Sequence, residues 1–216
     1  MDKIVASVLD ADFSNWKTWL KAIENAGIKR IQWDIMDNKF VENNGVDKKY
    51  IQILRPKTKL FFESHLMVNY PENYINEFAE NGTQLLIFHL ESTKNPLNLI
   101  EKIEDHGLKV GMAIDINTDQ KKIYPFLDKI DLALVMSVKA GKGGQKFQEK
   151  VLTKIKELKK EIQNNELQCE IEVDGGIKPE TAKKCLNAGA NLLVVGSYIF
   201  KNPIGINAAL EELKKI

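Results

Sequence analysis

Cysteine is scarce in this chain: Cys169 and Cys185 are the only two among 216 residues, and they lack CxxC spacing. Two such thiols are too few for a disulfide framework, which favours a reducing compartment and a packing role for both. Net charge is equally sparse. Lys+Arg 31 against Asp+Glu 30 leaves +1, so no global field recruits nucleic acid or an anionic membrane, and attraction for an anion must be local. Nowhere do 18 apolar residues run together, and the opening Met1 to Ser7 reads as a strand that begins at once, with no apolar leader core. A cytoplasmic protein with no membrane partner is expected. No Pro/Ser-rich linker interrupts the series, so one domain over residues 1–216 is expected.

Composition is otherwise that of a globular protein, 44% hydrophobic and 28% charged. Short runs rich in Val, Ile, Leu and Phe alternate with segments of helical period from end to end, the pattern of βαβ units on a parallel sheet. The strands read as residues 3–9, 29–36, 59–67, 84–90, 109–115, 131–138, 168–174 and 192–196, with helices filling the gaps. The clearest helix is 147–163, where Val151, Ile155, Leu158 and Ile162 recur at three- and four-residue spacing and lysines cover the other face. Pro179 opens the next helix at its first turn, and Pro203 precedes the last. An open doubly wound sheet would show polar edge strands, and all eight strands here read as buried. A single closed (β/α)8 TIM barrel is the predicted fold.

In such a barrel, side chains of alternate parity point inward and chemistry sits at the C-terminal strand ends. Ile31, Trp33 and Ile35 share the outward parity, which turns Gln32, Asp34 and Met36 toward the axis. On the third strand Phe62, Ser64 and Leu66 face out, while Phe61, Glu63, His65 and Met67 face in. On the seventh, Ile171 and Val173 point outward and Glu172 and Asp174 inward. A carboxylate aimed into a barrel is costly unless paired or metal-bound. Singly, an inward His is a core residue and an Asp before Gly-Gly a turn former; together at three strand ends they indicate a site. Gly141, Gly143 and Gly144 follow the sixth strand, Gly175 and Gly176 the seventh, and Gly196 with Ser197 the eighth. Backbone N–H groups at such glycines approach anions closely, and the loops after strands 7 and 8 are the usual phosphate site of barrels. Ser7, inward on the first strand, either donates to a substrate hydroxyl or fills space.

The segments ASVLDADF (6–13), WDIMDNKFV (33–41), SHLMV (64–68), VMSVKAGKGGQKF (135–147), IEVDGGI (171–177) and VVGSYIF (194–200) resemble, in order and over nearly the whole chain, the motifs of the ribulose-phosphate 3-epimerase family. The resemblance implies interconversion of ribulose 5-phosphate and xylulose 5-phosphate, with Asp34 and Asp174 as the acid/base pair on opposite faces of C3. It implies a divalent cation, typically zinc, iron or manganese, held by Asp34, His65 and Asp174. It also implies a sulfur-rich wall of Met36, Met67 and Met136, and a closing loop from Lys139 to Gln145. Ser7, His65, Gln145 and the glycine loops with Ser197 would hold the ketose phosphate, and a homo-oligomer is expected because related barrels are dimers or hexamers.

Several positions depart from the family pattern. Gln32 stands where the family has its first metal-binding His; an amide oxygen is a weaker zinc ligand than imidazole and suits a harder cation such as manganese or magnesium, so Gln32 is a fourth candidate ligand. Asp10 stands for a Ser, and Lys139, Ala140 and Lys142 for Asn, Pro and Phe in the closing loop. Two other readings remain: a 3-epimerase of another ketose phosphate such as allulose 6-phosphate, and a barrel that binds a phosphosugar without turning it over. An orotidine-phosphate decarboxylase-like site is disfavoured, because position 36 is Met rather than the lysine of its Asp-x-Lys-x-x-Asp motif.

Overall fold

The structure, a computed structural model, describes residues 1–216. Eight parallel strands close on themselves in sequence order: β1 (Ile4–Ser7), β2 (Arg30–Met36), β3 (Phe61–Met67), β4 (Leu85–His89), β5 (Lys109–Ile114), β6 (Leu132–Met136), β7 (Glu170–Asp174) and β8 (Leu192–Val195), with β8 pairing back onto β1. The helices are α1 (Trp16–Asn25), α2 (Lys49–Leu54), α3 (Ile75–Glu80), α4 (Pro96–Asp105), α5 (Val151–Asn164), α6 (Pro179–Ala188), α7 (Ser197–Phe200) and α8 (Ile206–Leu213). The predicted barrel is what forms. No helix is long and apolar enough to cross a membrane.

Strand alternation divides the apolar side chains into two cores. Outward residues such as Ile31, Trp33, Phe62, Leu66, Ile171 and Val173 join the helices in one cluster of 53 buried residues. Inward Val5, Leu85, Ile87, Leu132, Leu134, Leu192 and Val194 belong to a separate cluster of 10 that fills the barrel. The periodic residues of α5, Val151, Ile155, Leu158 and Ile162, are all buried against the sheet, each contributing roughly 1.5–3 kcal/mol by leaving water. Pro179 occupies the first turn of α6, as expected, and Gly189 ends that helix with φ 115°.

Two expectations are corrected. The helix over 147–163 begins at Val151, because Phe147 and Gln148 stay in the preceding loop, where the Gln148 N–H donates to the Ser137 carbonyl at 3.2 Å. The β5–β6 gap carries no α-helix, only short 3-10 turns at Gln120–Lys122 and Tyr124–Phe126. Pro125 has no N–H to continue a helical ladder through this segment. Ile116, Ile123, Leu127 and Ile130 are nevertheless buried there, so irregular backbone covers β5 and β6 in place of a helix.

Candidate functional site

Strand register brings the acidic side chains together. Asp34 on β2 lies level with His65 on β3, and Asp174 ends β7, which reaches β2 across β8 and β1. One ligand atom from each of Asp34, His65 and Asp174 can be chosen so that all lie within 4.8 Å of one another. His65 Nδ1 is 3.1 Å from Asp34 Oδ1 and 3.8 Å from Asp174 Oδ2. Gln32 sits between the carboxylates: its Nε2 donates to Asp34 Oδ1 and to Asp174 Oδ2, both at 2.9 Å. The Ser7 hydroxyl donates to Asp34 Oδ2 at 2.6 Å.

Burial governs the protonation of this group. It pushes Asp34 up to about 6, against the hydrogen bonds from Ser7 and Gln32 that favour its carboxylate. Asp174 also rises to about 6, first through burial and then through the negative charge of Asp34. Burial lowers His65 to about 4, so its ring is neutral near pH 7. Two carboxyls poised near neutrality can each give or take a proton at working pH.

The donor set fits a divalent cation: two carboxylates and a neutral imidazole converge from three strands. Gln32 adds a second sign of fit. Its Oε1 is buried with no hydrogen-bond partner, a costly state for an amide oxygen. Exchanging amide O for N by rotation about the last side-chain bond would turn that orphan toward the carboxylates, an arrangement that only positive charge between them makes favourable.

Above the carboxylates a cavity of about 340 Å³ opens at the C-terminal strand ends. Met36, Met67 and Met136 line it as expected, together with Gly141, Gly143, Gly144, Gly175, Gly176, Gly196, Ser197 and four lysines, Lys139, Lys142, Lys178 and Lys201. Gly176 meets backbone in the cradle: its φ is +61°, and a Cβ there would lie 2.5 Å from the Phe147 nitrogen. Gly176→Ala is therefore expected to cost at least about 2 kcal/mol in chemical denaturation, combining left-handed strain with a backbone clash.

The other expected site residues lie at the cavity or behind it. His65 and Gln32 are completely buried behind the two carboxylates and do not line the cavity. Ser7 lines the cavity but spends its proton on Asp34. Gln145 lines the cavity, and its amide donates to the carbonyls of Lys139 at 2.7 Å and Lys142 at 2.8 Å, which braces the loop after β6 from within.

Some residues of the site were not anticipated. Asp10 accepts from the Ser197 hydroxyl at 2.5 Å and pairs with Lys201 at 2.5 Å, placing a carboxylate and a countering ammonium at the rim of the glycine cradle. His89 on β4 contacts His65, with Nε2 to Nε2 at 2.9 Å, and Glu91 follows it at 3.3 Å. The inward parity of Leu85, Ile87 and His89 could have revealed His89; nothing periodic marks Asp10 or Glu91, which lie in loops.

Comparison with known proteins places the chain among relatives of one family. A sequence model of the ribulose-phosphate 3 epimerase family matches residues 3–200. The chain is 38% identical over 201 residues to the ribulose-phosphate 3-epimerase of Bacillus subtilis, covering 93% of each. It is 35% identical to that of Eremothecium gossypii, covering 91% of this chain and 85% of the relative. Among solved structures, a mutant tryptophan synthase alpha-subunit from Pyrococcus furiosus superposes with a TM-score of 0.74 over 99% of this chain and 97% of its own. At 16% identity that likeness is one of fold alone. The sequence match is of another order, spanning every strand that carries a site residue, and on it the chain belongs to the ribulose-phosphate 3-epimerase family.

Proposed function

We infer that this chain is an epimerase that interconverts D-ribulose 5-phosphate and D-xylulose 5-phosphate by exchanging the C3 proton between Asp34 and Asp174. The observation that carries the reading is the approach of these two carboxyls, from separate strands, at the floor of one cavity with an anion cradle at its rim.

The chemistry follows from their shared poise near pH 6. The ionised carboxylate removes the C3 proton, and the C–H electron pair moves into the adjacent C2 carbonyl to give an enediolate. The protonated partner then delivers its proton to the opposite face of C3, which inverts that centre. Proton ownership is now reversed, so the same site runs the reaction backward. Asp34, His65 and Asp174, with Gln32 Oε1 as a fourth donor, would hold a divalent cation that supplies positive charge beside the developing oxyanion. The amide oxygen of Gln32 favours a hard cation such as manganese. Met36, Met67 and Met136 exclude water from the reacting carbon, and the glycine loops with Ser197 and Lys201 hold the phosphate away from the carboxylates.

Solvent deuterium exchange tests the reading. With ribulose 5-phosphate and supplied manganese, iron or zinc, one deuteron is expected at C3 along with xylulose 5-phosphate. Absence of exchange with all three cations rules the epimerase out; faster exchange on allulose 6-phosphate reassigns the substrate. A second expectation concerns Gln32. Gln32→His replaces an amide by an imidazole donor and should tighten zinc binding at least about tenfold in a competition titration. An unchanged affinity would remove Gln32 from the ligand set.

A further inference from the structure

The buried histidine pair behind the site points to a role for two residues that touch neither cavity nor ligand. We propose that Glu91 and His89 form a hydrogen-bond relay that locks His65 in the Nε2–H tautomer, so that its Nδ1 lone pair always faces Asp34 and Asp174. His89 and Glu91 are thus positioning residues, and their role toward a cation rests on the epimerase reading above.

The direction of the relay follows from donor and acceptor counting. Glu91 is an ionised carboxylate, an acceptor only. Although burial opposes its charge, hydrogen bonds from His89, Thr118 and the Asp115 N–H hold it down at about 2. Its Oε1 receives the Asp115 N–H at 2.9 Å and the Thr118 hydroxyl, while Oε2 lies 3.3 Å from His89 Nδ1. His89 Nδ1 must therefore carry a proton. His89 is fully buried, where a second ring proton would bury an imidazolium, so its Nε2 is left as an acceptor.

The only polar contact of that nitrogen is His65 Nε2 at 2.9 Å, which must donate. The ring geometry agrees: centroids 5.0 Å apart with planes inclined by 22° describe two rings nearly coplanar and edge to edge. An in-plane N–H···N bond needs this arrangement, whereas face-to-face stacking could not bring the two nitrogens so close. Neutral His65 then has a bare lone pair on Nδ1, aimed at Asp34 Oδ1 at 3.1 Å and Asp174 Oδ2 at 3.8 Å. A lone pair opposed to two carboxylates is repulsive unless a cation or a proton stands between them. The relay therefore prepares a nitrogen ligand and denies the site the alternative of a stable His–Asp hydrogen bond from an Nδ1–H.

The tautomer can be read without any metal. Histidine occurs only three times, at His65, His89 and His106, so 15N-histidine NMR of the metal-free protein resolves each ring. His65 should be protonated on Nε2 and bare on Nδ1, and His89 protonated on Nδ1; a proton on His65 Nδ1 overturns the inference. Glu91→Leu should leave His65 in mixed tautomers and weaken cobalt(II) binding, followed by visible absorption, about 10- to 100-fold. Glu91→Gln, whose carbonyl still accepts from His89, should restore most of both. Unchanged cobalt affinity in Glu91→Leu also overturns the positioning role. Wild-type protein that takes up no cobalt sinks the cation reading instead, and is distinguishable because the wild-type tautomer is measured independently.

Discussion

Asp174→Asn and Asp34→Asn are each expected to lower epimerisation by about a thousandfold, within the ~10²–10⁴ range of a positioned acid or base. The diagnostic result is the isotope pattern. Each variant retains one carboxylate, so each should still exchange the C3 proton of one epimer with solvent while failing to invert it, and the two variants should favour opposite epimers. Cobalt affinity measured alongside separates loss of a ligand from loss of a proton carrier. The fold should survive. In Asp34→Asn the Ser7 hydroxyl can rotate to accept from the new side-chain amide, and Gln32 Nε2 keeps an oxygen to donate to. Removing a carboxyl that burial already pushes to about 6 also relieves a desolvation cost. Variants that lose exchange on both epimers while binding cobalt normally would refute two-sided proton transfer.

The part of this site carried by strands was legible because a strand has a fixed period. Once Ile31, Trp33 and Ile35 are assigned to the helix-facing layer, Gln32 and Asp34 have only one direction left, and barrel closure converts shared direction into contact. The same logic placed Glu63, His65, Glu172 and Asp174. It did not extend to loops, where direction is set by contacts distant in sequence. Asp10 pairs with Ser197 and Lys201 across nearly the full chain, and the Gln145 amide is fixed by carbonyls of its own loop. Charge balance also depended on unseen neighbours. Gln32 reads as a ligand from its position, yet it donates its amide to both carboxylates, because two acids that close need a donor between them. The absent β5–β6 helix shows the converse, since burial of Ile123 and Leu127 needs apolar spacing but no regular backbone.

Beneath the catalytic floor, Glu63 and Glu172 are fully buried in the barrel with no hydrogen-bond partner on any carboxyl oxygen. Arg30 approaches Glu63 only to 3.7 Å, from a side chain 22% exposed at the opposite end of the barrel. Burial drives Glu63 up to about 8 despite Arg30, and drives Glu172 well above the ordinary carboxyl range, with the Glu63 charge adding to the effect. The native state thus holds protons that the unfolded chain has released, and stability must fall as pH rises from the unfolded value near 4.5 through about 8. In metal-free protein, Glu172→Gln is therefore expected to gain stability over wild type as pH rises above the ordinary carboxyl range. Asp34, Asp174 and the histidines titrate in both proteins and cancel in the difference. Glu63→Gln should show the same sign. Urea denaturation at several pH values measures this directly. A variant-minus-wild-type difference independent of pH would mean that both carboxyls are ionised in the folded protein, against the burial that raises them.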